Sequence, residues 1–215
     1  MKNKNIIGIF FISLIISINT EELPLNYDLE NTGKRCQKPE LPEPNLLKKI
    51  DKLPNPFEWS DGSGKVEKLE DWKCRRAEIK AEIEKYEIGT KPETAKVEAS
   101  YTGGVLKVVV TDNGQSLTLT SSIKSPSGTG PFPVIIGMNS GTGTLDASSF
   151  SDFIQVPFIH DQVAKYAMTG NKDTSAPFYK MYPELKQNGD YSAWAWGVSR
   201  IIDGLEQVKD TLNAD

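Results

Sequence analysis

Apolar and polar residues alternate through the middle of the chain in the pattern of half-buried β-strands. The alternating segments, which are rich in β-branched residues, are AKVEASY (95–101), VLKVVVTD (105–112) and SLTLTSSIK (116–124). Turn-forming pairs separate them at Gly103-Gly104 and Asn113-Gly114. This arrangement predicts an antiparallel meander of three strands.

Two further apolar segments follow the meander. PVIIGMNSG (133–141) opens with a short continuous apolar run and ends in small residues, which predicts a strand buried on both faces. FIQVPF (153–158) predicts one more strand.

A helix is predicted on each side of the strands. LEDWKCRRAEIKAEIEKYEIG (69–89) has apolar residues near helical spacing, acidic residues in its first turn and Gly89 at its end. The basic cluster within it, residues 73–76, is interpreted as a solvated helix face. The strongest helical pattern lies near the C-terminus, at Trp194, Val198, Ile201, Ile202, Leu205, Val208 and Leu212.

In an alternating α/β chain such a helix leads into another parallel strand, and none follows here. We therefore expect the C-terminal helix to lose much of its packing surface. Each large apolar side chain left exposed forfeits about 1.5–3 kcal/mol, against a total domain stability of about 5–15 kcal/mol. The chain alone is expected to fold poorly.

The first residues predict export. A basic start with Lys2 and Lys4 precedes the apolar run Ile6–Ile18, which is typical of a secretory signal peptide over residues 1–20. An N-terminal membrane anchor is the alternative. Residues 21–60 form a proline-rich lead, and residues 61–215 form the main domain.

Charge and cysteine content narrow the class of protein. The 215 residues carry a formal net charge of −4, which argues against a nucleic-acid partner. Cys36 and Cys74 are the only cysteines, so one disulfide is the economical hypothesis for a secreted chain. Free or metal-binding thiols are the alternative, but two cysteines and one histidine without close spacing do not form a zinc site. No metal or cofactor is predicted.

No catalytic residue can be assigned from the motifs. The serine motif G-x-S-x-G of α/β-hydrolases is absent; residues 197–201 supply its first half only, and Ser199 lies within the predicted helix. Ser140 follows a predicted strand without the flanking residues of that motif. His160, the one histidine, adjoins Asp161 and is read as a residue of a loop or helix start.

Several segments together resemble a known family. WKCRRAEI, YEIGTKP, SIKSPSGTGPFPVII and above all YSAWAWGVSRIIDGLE, in this order, are similar to the N-terminal half of the glucuronoyl esterases, carbohydrate esterase family 15. The resemblance covers Cys36 to Leu212. It implies a three-layer α/β-hydrolase fold, serine acyl transfer without a metal, and a disulfide between Cys36 and Cys74.

The resemblance also implies that the nucleophile motif of the family is absent from this sequence. In the family the tryptophan-rich helix is followed by a strand and the nucleophile motif GCSRNGKG, which is not found here. Neither Ser199 nor His160 matches a catalytic position, so the catalytic set is empty. Residues 139–141 are a hypothetical part of an oxyanion site. We expect an α/β-hydrolase portion truncated before the nucleophile elbow, with no esterase activity alone.

The predicted activity is hydrolysis of esters between 4-O-methyl-glucuronic acid of xylan and lignin alcohols, by a secreted protein with no membrane attachment after signal cleavage. One alternative is a secreted, non-catalytic carbohydrate-binding or interaction module in which Trp59, Trp194 and Trp196 stack on sugars. A third is an unrelated esterase that uses Ser140 and His160.

Overall fold

The computed structural model describes residues 36–92, 95–166 and 171–214. The predicted signal peptide, residues 1–20, and the start of the proline-rich lead lie outside the described residues. Within the described ranges, no helix combines the length and hydrophobicity that crossing a membrane requires.

The predicted meander is confirmed. Its strands are β1 (Lys96–Thr102), β2 (Val105–Asp112) and β3 (Gln115–Ser122), and both neighbouring pairs are antiparallel. Alternate residues of β2 point into the core, where Leu106, Val108 and Val110 are fully buried. The alternation of apolar and polar residues in the sequence of β2 therefore corresponds to burial of one face of the sheet.

The two later strands pair in parallel. They are β4 (Val134–Met138) and β5 (Ile154–Phe158). An antiparallel bridge between Lys124 and Gln155 joins β5 to the end of the meander. This bridge joins the three-stranded sheet β1-β2-β3 to the two-stranded sheet β5-β4, so antiparallel and parallel pairing occur side by side as in part of an α/β-hydrolase sheet.

The expectation that the first of these strands is buried on both faces is wrong. Three residues of β4 are half-buried and Met138 is 42% exposed, whereas Ile154 and Val156 of β5 are fully buried. The reason is the position in the sheet: β5 has a neighbour on each side, while β4 lies at the edge of the described sheet. An apolar run alone does not distinguish the two positions.

The first helix, α1 (Leu69–Ile83), continues as a π-helical turn to Ile88 and ends at Gly89, whose φ of 81° is left-handed. A disulfide joins Cys36 to Cys74 with a Cα–Cα distance of 5.3 Å, which ties the proline-rich lead to α1.

The interpretation of residues 73–76 as a solvated face is wrong for Arg75, which is only 5% exposed.

The remaining helices are the short α2 (Pro177–Met181) and the long α3 (Asp190–Leu212). The expectation that α3 leaves its apolar stripe exposed is wrong. Among the residues that predicted the helix only Ile202 is largely exposed, at 45%. The others are buried or half-buried: Trp194, Val198, Ile201, Leu205, Val208 and Leu212. The antiparallel meander provides the packing surface, since α3 lies against β1 and β2.

Two glycines let α3 approach the sheet closely. A Cβ atom on Gly204 would lie 2.5 Å from a methyl carbon of Val108. A Cβ atom on Gly197 would lie 2.7 Å from Val163 and 2.8 Å from the ring of Phe158. The backbone of α3 therefore lies directly against its neighbours at these two positions, and there is no space for a side chain at either of them.

Replacing Gly204 by leucine should destabilise the fold. Overpacking of a well-packed core costs about 1–3 kcal/mol, and Val108 is fully buried and unable to move aside. We expect urea denaturation to report a lower free energy of unfolding for Gly204→Leu. Ala195→Leu is the matched control, because Ala195 is exposed on the same helix. Equal stability of the two variants would contradict the close packing of α3.

Candidate functional site at the carboxyl ends of the parallel strands

The carboxyl ends of β4 and β5 lie side by side because the strands are parallel. In α/β sheets ligands bind outside this edge, where the loops that follow the strands meet. Here the loop after β4 begins at Asn139 and the segment after β5 begins at Ile159. The N–H of Asn139 donates to the carbonyl of Phe158 over 2.8 Å and joins the two segments.

The loop after β4 is tightly folded. Asn139 has a left-handed φ of 60°, and the Ser140 hydroxyl donates to the carbonyl of Gly143 over 2.8 Å. Gly137 allows the loop to fold back, since a Cβ atom there would lie 2.1 Å from the nitrogen of Gly143. Any larger residue at position 137 would displace this loop. The sequence analysis assigned no role to Gly137.

His160 follows β5 and lies against an aromatic ring. It opens a 3₁₀ turn, His160–Gln162, and its ring stacks on Trp194 with a centroid distance of 4.2 Å. Its Nδ1 lies 2.8 Å from Oδ1 of Asp161, although the approach lacks the alignment of a hydrogen bond. The side chain is 17% exposed. The interpretation of His160 as a residue at the start of a helical turn is confirmed.

The tryptophan that stacks on this histidine belongs to a larger group of aromatic side chains. The Trp194 indole donates to the carbonyl of Ala164 over 2.6 Å, which fixes the ring beneath His160. Tyr191 packs edge-on against Trp194, with a centroid distance of 4.9 Å, and Tyr166 lies 5.7 Å from Tyr191. The sequence analysis missed both tyrosines, although Tyr191 and Trp194 are three residues apart and so share one helix face.

Buried polar contacts hold the start of α3 in place. The Tyr179 hydroxyl donates to Oδ1 of Asp190 over 2.7 Å, and the Asn188 amide donates to the carbonyl of Thr90 over 2.6 Å. Burial, followed by the hydrogen bond to the Asp190 carboxylate, raises the pKa of the Tyr179 phenol. Burial also lowers the pKa of Lys172, whose ammonium group lies over the Tyr179 ring at 4.1 Å. These contacts position Tyr191 and Trp194 beside the strand ends.

The serines considered as nucleophiles are engaged elsewhere. Ser199 lies within α3, where its hydroxyl donates to the carbonyl of Ala195 over 3.0 Å and lies 2.6 Å from the ammonium of Lys91. Ser140 bonds within its own loop. Among the hydrogen bonds of the described residues, none joins either serine to His160. A serine–histidine–acid system is therefore not assembled here, and the third hypothesis loses its support.

The sugar-stacking alternative also loses its basis. Trp194 is 8% exposed and Trp196 is fully buried, so neither can present a ring face to a saccharide. Trp59 is half-buried. In the part of the chain that the structure describes, no group of three His, Cys, Asp or Glu side chains is placed to hold a metal ion.

Comparisons with known proteins agree on one family. A family model described as glucuronyl esterase of fungi matches residues 108–215. The curated 4-O-methyl-glucuronoyl methylesterase of Neurospora crassa is 38% identical over 168 residues, which are 77% of this chain and 41% of that protein. The protein of the same name from Thermothelomyces thermophilus is 35% identical over 186 residues, 86% of this chain and 44% of that protein.

A solved structure shows the same likeness in three dimensions. It is a serine-to-alanine mutant of the glucuronoyl esterase of Sporotrichum thermophile in complex with methyl 4-O-methyl-β-D-glucopyranuronate. The match has a TM-score of 0.67 at 36% identity and covers 76% of this chain and 43% of that one. The chain thus spans less than half the length of the relatives that it matches.

Proposed function

This chain belongs to the fungal glucuronyl esterase family, and on that premise we propose that it serves the hydrolysis of esters of 4-O-methyl-glucuronic acid. Members of the family are carboxylic ester hydrolases. The observation that carries the proposal is the likeness to a solved esterase that binds a methyl glucuronate ester, at a TM-score of 0.67. The substrate that we propose is the ester between glucuronic acid groups of xylan and lignin alcohols.

The proposed place of action is outside the cell. The disulfide between Cys36 and Cys74 supports this, because disulfides persist in oxidising compartments. The basic start and the apolar run Ile6–Ile18, interpreted as a signal peptide, support it independently.

The role that we propose for these residues is to build the sheet edge beside the ester, and not to supply the nucleophile. A serine esterase needs nucleophile, base and oxyanion donors within hydrogen-bonding reach of one reacting carbonyl. Ser140, Ser199 and His160 do not form that arrangement. Among residues 139–141, only the backbone N–H groups of Ser140 and Gly141 remain candidate donors to an oxyanion. The N–H of Asn139 already donates to the carbonyl of Phe158.

A chimeric enzyme tests the proposal. Residues 36–214 would replace the matching part of the Sporotrichum thermophile esterase, and hydrolysis of methyl 4-O-methyl-glucuronate would be followed by product analysis. We expect turnover at least about 10³-fold above that of the same chimera carrying the serine-to-alanine change, because loss of a catalytic triad member costs that much or more. The 215-residue chain by itself is expected to show no turnover.

Two controls sharpen the result. Ser140→Ala and Ser199→Ala, placed in the chimera, should leave turnover nearly unchanged, because neither hydroxyl is assigned to the chemistry. A chimera that melts cooperatively but does not hydrolyse the ester would overturn the proposed function. Turnover by the 215-residue chain, lost on Ser140→Ala, would show that the nucleophile had been misassigned.

A further inference from the structure

Two tyrosine side chains remain exposed beside Trp194. Tyr166 is 44% exposed and Tyr191 is 64% exposed, and their ring centroids lie 5.7 Å apart with the planes tilted by 38°. Neither hydroxyl makes a hydrogen bond to another described residue, whereas the hydroxyls of the buried Tyr179 and Tyr182 donate to carboxylates. Tyr166 and Tyr191, the tyrosine pair, therefore keep both apolar ring surface and polar ends available to a ligand.

The tyrosine pair has a fixed support. Trp194 is 8% exposed, and its indole donates over 2.6 Å to the carbonyl of Ala164, two residues before Tyr166. Trp194 meets Tyr191 edge-on at a centroid distance of 4.9 Å and Tyr166 edge-on at 6.0 Å. Tyrosine has only two side-chain torsions, so holding these rings for a ligand costs little conformational entropy. The pair is thus preorganised for binding.

The tyrosine pair continues the carboxyl edge of the parallel strands. His160 lies two residues beyond the end of β5 and stacks on Trp194 at 4.2 Å, and Trp194 in turn contacts both tyrosines. Ligands of α/β sheets bind outside this edge. The pair therefore lies to one side of the strand ends, where a polymer that extends from a bound ester can reach it.

The size and chemistry of the tyrosine pair fit a sugar ring and not a protein. A tyrosine side chain offers at most about 150–250 Å² of contact, whereas a standard protein interface buries about 800 Å² on each partner. Two partly exposed rings fall well short of that area. A pyranose ring has C–H groups on its faces and hydroxyls at its rim, which complement the ring face and the phenol of tyrosine.

The charges beside the tyrosine pair are mixed in sign. Asp190 precedes Tyr191 in α3 and attracts the ammonium group of Lys172. On the segment after β5, Asp161 and Lys165 are both exposed. Carboxylates and ammonium groups that alternate in this way give no excess charge that would attract a polyanion or a polycation. An uncharged ring is therefore the favoured occupant.

We propose that Tyr166 and Tyr191 form a subsite for one uncharged pyranose ring of the xylan chain that carries the ester. The inference rests on the proposed function, because that function supplies the polymer. The pyranose ring stacks on the tyrosine pair and its hydroxyls bond to the phenol groups, so the polymer is held beside the strand ends. The tryptophans considered in the sequence analysis support this subsite from below or lie elsewhere, and the exposed tyrosines make the contact.

Binding of soluble glucuronoxylan to the 215-residue chain tests the subsite. Affinity electrophoresis in gels that contain the polysaccharide gives the dissociation constant. Tyr191→Leu keeps an apolar side chain but removes the aromatic face, and we expect about tenfold weaker binding, the upper end of what one aromatic contact contributes. Tyr191→Phe keeps the ring and should bind nearly as the parent does. Tyr166→Leu should resemble Tyr191→Leu, and it decides the matter if Tyr191→Leu does not fold.

Phe57→Leu is the matched control, because Phe57 is 54% exposed but lies in the proline-rich lead. It should bind as the parent does. The inference is overturned if the parent does not bind the polysaccharide, if the leucine variants of the tyrosine pair bind equally well, or if Phe57→Leu or Tyr191→Phe loses as much. Self-association that disappears in Tyr191→Leu, without polysaccharide binding, would assign the pair to an interface between copies and overturn it as well.

The chimera separates this inference from the proposed function. In it, Tyr191→Leu should raise the KM for methyl-esterified glucuronoxylan, relative to the KM for methyl 4-O-methyl-glucuronate, by about tenfold. An active chimera in which this ratio of KM values does not change overturns the subsite and leaves the function standing. Binding of glucuronoxylan that depends on Tyr191, together with a folded but inactive chimera, does the reverse.

Discussion

Replacing Trp196 by alanine is expected to lower the free energy of unfolding by about 3–5 kcal/mol, the range for truncation of a buried aromatic side chain. Trp196 is fully buried in α3. Its ring lies 5.4 Å from that of Phe178 and 5.7 Å from that of Tyr182, in edge-on contacts that add to the area buried. The loss reaches the lower end of the total stability of an ordinary domain, about 5–15 kcal/mol.

Urea denaturation followed by circular dichroism would measure the change. Tyr191→Ala is a suitable control on the same helix, because Tyr191 is 64% exposed. We expect it to cost less than about 1 kcal/mol. A loss for Trp196→Ala no larger than that of the control would mean that α3 does not anchor the core.

Replacing Arg75 by alanine is expected to open the contact between α1 and the proline-rich lead. The guanidinium donates to the carbonyl of Pro56 over 3.1 Å, to the Ser60 hydroxyl over 2.7 Å and to Glu78 over 2.9 Å. The side chains of Arg75 and Glu78 are only 6% and 14% exposed. Removing one member of a buried ion pair costs about 3–5 kcal/mol, because the other charge is left without a partner.

The change is local, so trypsin cleavage of the native protein after the lysines at 48, 49 and 52 is the appropriate measurement. A cost of about 3 kcal/mol corresponds to cleavage faster by roughly 100-fold, at tenfold for each 1.4 kcal/mol. Lys73→Ala removes an exposed cation from the same helix and serves as the control. Equal cleavage rates in the two variants would show that Arg75 does not hold the lead.

These two predictions concern different parts of the molecule. Trp196 belongs to the contact of α3 with Phe178 of α2 and with Tyr182. Arg75 belongs to the junction between the lead and α1, which the disulfide also ties. We therefore expect Arg75→Ala to leave the hydrogen exchange of β2 unchanged, since Val108 and Val110 lie in the separate main core.

The candidate site was only partly predictable. Ser199 within a helix and His160 at the start of a helical turn follow from motif spacing and neighbouring residues. The stacking of His160 on Trp194 does not, because the two residues are brought together by the packing of α3 against the segment that follows β5, where the Trp194 indole donates to the carbonyl of Ala164. The commitment of the Asn139 N–H to Phe158 likewise depends on the alignment of two strands that are distant in sequence.

The sequence by itself determined the element types, because the periods of two and about 3.6 residues reflect backbone geometry and one-sided burial. It therefore predicted the meander and both main helices, while the family was predicted from the resemblance of four short segments and not from periodicity. Tertiary structure alone decided which apolar surfaces are covered. The stripe of α3 is buried because the meander lies beneath it, and Arg75 is buried because the proline-rich lead crosses it. The strand β4 is only half-buried because it has a neighbouring strand on one side alone. Burial depends on contacts between segments far apart in the chain, and local periodicity does not contain that information.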